Sequence, residues 1–465
     1  MANLHRAIVL LAALIASQLM SGCASLPNVD ALLLDGGRHA QIGQFESVGG
    51  PLSEKRSAAL VEAIKRKGGD TGILDKHVAV ENALVETPLV AGNRVVLLQD
   101  GKETYDAMLA AIARATDHIN LETYIFEDDE IGKKFADALL ARQAAGVQVN
   151  LIYDSVGSIK TPREFFKRLA DAGIGVMEFN PVNPLASRRG WRINKRDHRK
   201  LLIVDGQSAF LGGINISSVY SSGSIPKGDG TASKHPVAWR DTHLQVDGPV
   251  VADFQKMFLE TWQKQKGKPL AQRNYLPSLK EDGKELVRAI GSTPDDPYSQ
   301  IYLTLLSAIR SAEKTVHITN AYFVPDPNIV NVLREAAARG VDVKLILPSQ
   351  SDSGMVFHAG RSHYSRLLEA GIQIYERRDA LLHAKTAVID GVWSTVGSTN
   401  LDWRSILSND EINAVILGAE FGKQMEDVFS LDLAASGRID PEIWEQRPLS
   451  VRMREWTSRL WARML

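Results

Sequence analysis

The sequence predicts an α/β protein made by internal duplication, with two mixed-sheet halves that share one site. Three observations carry this reading. The pattern His-x-Lys-x-x-x-x-Asp occurs twice, as His198-Lys200-Asp205 and His383-Lys385-Asp390. Each copy is followed at the same offset by small residues and an asparagine, Gly212-Gly213-x-Asn215 in one case and Gly397-Ser398-x-Asn400 in the other. Around both copies, strand-like apolar stretches alternate with helical patterns, which indicates an α/β architecture with a mixed sheet in each half.

The 465 residues are 44% hydrophobic, enough for two large domains or a duplicated one with full cores. A net charge of -1 excludes a uniformly basic coat for nucleic acid, so any attraction for phosphate comes from local clusters. Residues 1 to 22 read as a signal peptide: Arg6, an apolar run from Ala7 to Ile15 that is too short to span a bilayer, then small residues before Cys23. Leu19-Met20-Ser21-Gly22-Cys23 resembles a bacterial lipobox, which implies cleavage before Cys23 and acylation of that residue. Cys23 is the single cysteine, so no internal disulfide forms. Ala24 stands where an inner-membrane retention signal places aspartate. The expected location is therefore the bacterial cell envelope, lipid-anchored in the outer membrane and facing the periplasm.

Residues 23 to 90 form a weakly patterned leader, with a helix predicted over 53 to 67 and stopped by Gly68-Gly69. The first repeat occupies 91 to 270 and the second 275 to 445, joined by a Lys- and Gly-rich link around 264 to 274. The repeats align at the helices holding Ala111-Ile112 and Ala308-Ile309, and at the β-rich stretches 119 to 126 and 316 to 324. They align again at 145 to 152 and 339 to 346, where Gly146 and Gly340 take the helix C-cap before a strand, and at 169 to 176 and 367 to 374. The Pro- and Arg-rich stretch 180 to 197 has no counterpart of equal length. It leads a basic run of Arg188, Arg189, Arg192, Lys195, Arg196, Arg199 and Lys200, for which a solvated loop and a phosphate-attracting patch are equal readings. A Ser- and Gly-rich insert at 217 to 234 reads as a loop near the first motif. Residues 446 to 465 form a C-terminal amphipathic helix, with Met453, Trp456, Leu460 and Met464 on one stripe beside Arg452, Arg454, Arg459 and Arg463. Such a helix fits an anionic bilayer surface and the protein's own core equally well.

The motif residue types point to phosphate chemistry. Residues two apart on a strand share a face, so His198 with Lys200 and His383 with Lys385 aim an imidazole and an ammonium at one phosphate. Asp205-Gly206 and Asp390-Gly391 are hairpin dipeptides that return the chain to Asn215 and Asn400, beside the same His and Lys. Small residues before each asparagine allow close backbone approach by a phosphate. The two motif aspartates fit a role as braces of these turns. Asp241 and Glu411 occupy equivalent places in the repeats, and each can accept a hydrogen bond that orients a catalytic imidazole and stabilises its cation. His358 and His363 lack the carboxylate or cysteine partners of a metal site, and no metal is expected.

The segments His198-Arg199-Lys200-Leu201-Leu202-Ile203-Val204-Asp205 and His383-Ala384-Lys385-Thr386-Ala387-Val388-Ile389-Asp390 closely resemble the phospholipase D superfamily, over about residues 91 to 445. Trp239-Arg240-Asp241-Thr242-His243 and the run from Ser398 to Ser405 are similar to bacterial cardiolipin synthases rather than to the nuclease branch. The resemblance implies two pseudo-twofold related halves packed face to face around one active site. It carries His198, Lys200, Asp205, His383, Lys385 and Asp390 over as the catalytic motif, with His198 as nucleophile and His383 as general acid and base, or the two roles exchanged. It implies a phosphatidyltransferase that forms cardiolipin from phosphatidylglycerol or a related donor through a phosphohistidine. A phospholipase D hydrolase releasing phosphatidic acid is the alternative. A nucleic-acid phosphodiesterase is disfavoured by the near-neutral charge, the lipobox and the lack of an aromatic-basic stacking stretch, so no nucleic acid partner is expected. A covalent intermediate conserves the energy of the donor bond, and Lys200, Lys385, Asn215 and Asn400 can hold the non-bridging oxygens, so no cofactor is expected either. The expected partners are phospholipid substrates and a membrane surface, met through acylated Cys23 and the C-terminal helix. The chain departs from the synthase pattern in having a lipoprotein-type signal where spanning N-terminal helices would stand.

Overall fold

The computed structural model describes residues 45–68, 73–75, 77–78, 87–182, 194–221 and 238–464. The signal segment, Cys23, the arginines at 188, 189 and 192, and most of the Ser/Gly-rich insert lie outside the described residues.

The first half is built from β1 (Val90–Gln99), α1 (Asp100–Arg114), β2 (His118–Thr123), α2 (Glu130–Ala144), β3 (Gln148–Asp154), α3 (Arg163–Asp171), β4 (Gly175–Phe179), β5 (Lys200–Val204), β6 (Ser208–Gly212), β7 (Thr242–Asp247) and α4 (Val251–Lys264). Its strands lie in the spatial order β4-β3-β2-β5-β6-β7-β1, parallel from β4 to β2 and antiparallel from there on. The second half repeats this plan with β8 (Glu285–Ser292), α5 (Gln300–Ser311), β9 (Thr315–Asn320), α6 (Pro327–Ala338), β10 (Asp342–Pro348), α7 (Gly354–Arg361), α8 (Tyr364–Leu368), β11 (Gln373–Arg377), β12 (Lys385–Ile389), β13 (Trp393–Gly397), β14 (Asn409–Leu417) and α9 (Ala419–Ala434). Its order is β11-β10-β9-β12-β13-β14-β8, again parallel only across the first three. The duplication is thus complete at the level of strand pairing.

Local sequence explains the repeated joints. Asp129 and Asp326 cap α2 and α6 by accepting the amides of Gly132 and Asn328, at 2.8 and 2.7 Å, and Pro327 occupies the first turn of α6. Gly146 and Gly340 follow these helices with φ of 89° each, the left-handed conformation that lets the chain turn straight into the next parallel strand. Strand β2 is buried along its whole length, as a central strand covered on both faces must be.

Helices α1 to α3 pack on one face of the first sheet and α5, α6 and α8 on one face of the second, while the other faces meet each other with α4 and α9 packed into the same cluster. Leu201, Ile203, Leu211, Leu244 and Val246 of the first half form one apolar cluster with Val388, Val396, Ile412, Ala414 and Ile416 of the second. β8 also pairs antiparallel with β1, through Glu285 with Asn93 and Val287 with Val90, which links the two sheets along one edge. The leader helix, expected over 53 to 67, spans Glu54–Gly68. Phe45, Val61, Ile73, Leu74 and Val78 bury in the core of the second half. α10 (Leu449–Arg459) is shorter than the expected C-terminal helix and ends before a 3-10 turn at Ala462–Met464. Among the described residues no helix is long and apolar enough to cross a membrane.

The hairpins after the motifs turn at Asp205-Gly206, with φ of 54° and 63°, and at Asp390-Gly391, with 55° and 65°. These left-handed pairs match the right-handed twist of the flanking strands. The Asp205 carboxylate accepts the amides of Thr116, Asp117 and His118 at 2.8 to 3.0 Å, and the Thr116 hydroxyl at 2.9 Å. Asp390 does the same with Glu313, Lys314 and Thr315, and also meets His77 Nε2 at 3.3 Å. Burial alone would raise both carboxylates, but these donors hold them below the usual range. Each motif aspartate therefore ties its hairpin to the loop that feeds the next central strand. Asp205→Ala is expected to lower the free energy of unfolding by about 2–4 kcal/mol, because several charge-assisted bonds are lost at once. Urea unfolding should show a lower midpoint with unchanged slope, and activity should fall only with the unfolded fraction.

Candidate active site

Two short parallel pairings between the halves set the site. Arg196–Asp197, just before the first motif, pairs with Asn409–Asp410, and Leu381–Leu382, just before the second, pairs with Trp239–Arg240. His198 then donates its amide to the Asp410 carbonyl at 2.9 Å, and His383 donates its amide to the Arg240 carbonyl at 2.8 Å. The next residue on each partner strand is a carboxylate. Glu411 lies 3.0 Å from His198 Nδ1, and Asp241 lies 2.7 Å from His383 Nδ1. The sequence left open which acid serves which imidazole, and the answer is crossed: each histidine is held by the other half.

The small residues of the repeats make this possible. A Cβ on Gly213 would lie 2.1 Å from an Asp241 oxygen, so that glycine makes room for the carboxylate. The close approach expected there for a phosphate is taken up by the protein's own acid. In the second repeat Ser398 stands at the equivalent place and donates its hydroxyl to Glu411 at 2.5 Å. Asn409 Nδ2 adds a bond to Glu411 at 3.2 Å, and the Thr242 amide donates to Asp241 at 2.7 Å. Both carboxylates are fully buried. Burial pushes each upward, but His198 and Lys200 at Glu411, and His383 and Lys385 at Asp241, outweigh it and hold both acids below their ordinary range.

An ionised carboxylate can only accept, so Nδ1 of each imidazole carries the proton and Nε2 keeps its lone pair. Burial, with the Lys200 charge, outweighs Glu411 and draws His198 down to about 4. Burial and Lys385 lower His383 in the same direction. Each imidazole also feels the lysine of the opposite motif, which only a shared site allows. Burial, together with the partner lysine, brings Lys200 down to about 7, and burial brings Lys385 down to about 8. The site thus holds two neutral imidazoles above two ammonium groups that gain from an anion.

His198 and His383 line one cavity of about 360 Å³, together with Asn215 and Asn400. Asn215 is fixed by the Ile125 amide at 3.2 Å and the Tyr220 hydroxyl at 2.8 Å, whereas the buried Oδ1 of Asn400 has no hydrogen-bond partner. Lys200 donates to the His198 carbonyl at 2.5 Å, and Lys385 donates likewise to the His383 carbonyl. Their ammonium groups lie 5.1 Å from the Tyr124 ring and 5.9 Å from the Tyr322 ring. Asp205 and Asp390 sit at the far ends of β5 and β12 and do not line the cavity.

Several lining residues escaped the sequence reading. Tyr124 stacks edge-on to His198 at 5.0 Å between ring centroids, and Trp239, Tyr220 and Tyr322 surround His383 at 5.2, 5.6 and 6.1 Å. Tyr124 and Tyr322 are one place out of register in the repeats: Thr123 pairs with Lys200 as Asn320 pairs with Lys385, so Tyr124 corresponds to Ala321 and Tyr322 to Ile125, and the repeat comparison carried no signal for them. Asp402, also on the wall, is pushed up to about 7 by burial. The basic run is not a solvated face where it is described: Arg196, Arg199 and Lys200 are buried. Arg199 donates to the Glu411 carbonyl at 3.1 Å and to Thr261 at 2.8 Å, so it braces the strand that carries the acid.

Comparison with known proteins places this geometry. A family model described as "Cardiolipin synthase, PLD-like domain" matches residues 108–222 and 305–433. The cardiolipin synthase of Geobacillus sp. (strain WCH70) is 37% identical over 383 residues, which is 82% of this chain and 74% of that protein. The cardiolipin synthase of Alkalihalophilus pseudofirmus is 35% identical over 409 residues, 87% of this chain and 78% of that one. The crystal structure of phosphatidylserine synthase from Haemophilus influenzae Rd KW20 matches with a TM-score of 0.61 at 14% identity, covering 82% of this chain and 98% of that chain, and so shares the fold. With two matched segments and relatives aligned over most of its length, the chain belongs to the phospholipase D superfamily, in the cardiolipin synthase family.

Proposed function

We propose that the protein is a membrane-attached phosphatidyltransferase that forms cardiolipin from phosphatidylglycerol, or from a related phospholipid donor, through a phosphohistidine. The observation that carries this is the crossed pair of imidazoles, each held at Nδ1 by a carboxylate of the other half, with both rings on one cavity. Acylation of Cys23, which lies outside the described residues, is part of the same reading and places the enzyme at the cell envelope.

The residues suit a double displacement. Neutral His198 attacks phosphorus through Nε2, forming an N–P bond as the bond from phosphorus to the donor's head-group alcohol breaks. The fraction of enzyme in which His383 carries a second proton, on Nε2, gives that proton to the alcohol; Asp241 favours this imidazolium, while burial and Lys385 keep it the minor form of the free enzyme. The acceptor hydroxyl then enters, neutral His383 takes its proton, and the new P–O bond displaces His198. Glu411 stabilises the positive charge that His198 gains while it holds the phosphoryl group. Lys200, Lys385 and the Nδ2 groups of Asn215 and Asn400 are the donors proposed to hold the non-bridging oxygens, and the unpartnered Asn400 Oδ1 can accept from a hydroxyl of the lipid. The rings of Tyr124, Tyr220, Trp239 and Tyr322 narrow the space for water around the intermediate, which favours an alcohol acceptor.

Product analysis tests the reading. Purified protein given labelled phosphatidylglycerol is expected to yield cardiolipin and free glycerol, with phosphatidic acid a minor product. Phosphatidic acid as the main product, unchanged by added alcohol, would make the protein a hydrolase. His198→Ala and His383→Ala are each expected to reduce turnover about a thousandfold or more in protein that circular dichroism shows to be folded. Near-native activity in either variant would contradict a shared site.

The pH dependence has a worked sign. As pH falls toward about 4, His198 takes up a proton and loses its nucleophilic lone pair, so kcat/KM should fall. As pH rises through about 7 to 8, Lys200 and Lys385 lose their charge in the free enzyme and bind the anionic diester less well. KM for the donor lipid should therefore climb on the alkaline side, measured at constant ionic strength.

A further inference from the structure

The C-terminal helix α10 is anchored beside the cavity and turns its apolar stripe away from the protein. Leu449, Met453, Trp456 and Leu460 recur along one face and are 59 to 71% exposed. The opposite face carries Glu455 and leads to Ala462, both buried. Glu455 is pinned by Arg447 at 3.0 Å and faces Arg361 of α7 at 3.8 Å, so a buried ion pair, not an apolar seam, fixes the orientation of the helix. Ala462 packs with Ala359 and Trp403 in a small cluster against which Val356 rests, and Val356 also lines the catalytic cavity. Trp461 and Met355 extend the exposed apolar surface toward that rim, each 47% exposed. An exposed apolar stripe of this length that includes a tryptophan is an interaction surface rather than ordinary solvent-facing protein.

Charge decides the occupant. Arg452, Arg459 and Arg463 lie along one flank of the stripe, Arg454 lies on the other side, and all are exposed. The one acidic residue of this segment, Glu455, points inward. A second copy of the chain would bring the same arginines against each other, whereas an anionic bilayer accepts both the apolar stripe and its basic flanks. We infer that α10 docks the rim of the cavity onto an anionic lipid surface, so that phospholipid head groups are presented directly to His198 and His383. The inference deepens the lipid-substrate reading and rests on it only for what enters the cavity.

Vesicle co-sedimentation tests it on the full chain carrying Cys23→Ser, so that an acyl group cannot mask the helix. Binding to vesicles of phosphatidylcholine with phosphatidylglycerol is expected to exceed binding to phosphatidylcholine alone by tenfold or more, and to weaken with salt. The combined variant Met453→Ser, Trp456→Ser, Leu460→Ser should lose tenfold or more of that binding, with an unchanged melting temperature because these side chains are exposed. Arg452→Gln with Arg459→Gln should remove the preference for anionic lipid. On detergent-dispersed substrate the serine variant should turn over like the parent, and on vesicles it should be slower. Unchanged vesicle binding in the serine variant would overturn the proposal, as would a parent that shows no preference for anionic lipid. A dimeric parent made monomeric by the serine substitutions, with no loss of vesicle binding, would overturn it in favour of a second copy. Binding is read without turnover, so an inactive parent that still binds through α10 would count against the transferase reading alone.

Discussion

The site depends on two hydrogen bonds that run between the repeats, from His198 to Glu411 and from His383 to Asp241. Neither half contains a complete pair. The parallel pairings of Arg196–Asp197 with Asn409–Asp410, and of Leu381–Leu382 with Trp239–Arg240, deliver each acid one residue beyond the carbonyl that receives the histidine amide. The large apolar interface between the sheets is what makes those pairings affordable. Hydrophobic burial scales with area and is non-directional, so it brings the faces together, and the short ladders then fix the register.

Burying two carboxylates, two lysines and two imidazoles in one place is expensive unless the charges compensate. Here each acid is met by an imidazole N–H and further donors, while the lysines rest on the histidine carbonyls and remain short of anions. The result is a site whose lysines are drawn down to about 7 and about 8 and regain charge when a phosphodiester arrives. Binding and protonation are linked through that one fact. The motif aspartates stand outside this economy. Asp205 and Asp390 spend their oxygens on the amides of the loops before β2 and β9, which fixes the strands next to the motif strands.

Much of this was legible in the sequence because it repeats. The duplicated His-Lys-Asp motif, the Asp-Gly turns and the glycine C-caps at 146 and 340 are local patterns with local causes, and each formed where the pattern placed it. Asp241 and Glu411 were visible as equivalents, but the crossing was not, since it arises from packing between segments far apart in the chain. Gly213 shows the same limit: its smallness was apparent, yet the group it accommodates is Asp241 rather than a ligand. The basic run misled in part because Arg196 and Arg199 find partners in Ser155, Thr261 and the Glu411 carbonyl, all remote in sequence. The C-terminal stripe was equally consistent with core and with surface until the buried position of Glu455 fixed which face turns outward.

The crossing of the acids is the central claim, and imidazole tautomers report on it directly. Nitrogen-15 NMR of protein labelled at histidine should show His198 and His383 both protonated at Nδ1, each with a strongly deshielded proton. Glu411→Gln is expected to shift the His198 proton and leave that of His383 in place, and Asp241→Asn is expected to do the reverse. A Glu411→Gln protein in which the His383 resonance moves and the His198 resonance stays would contradict the account.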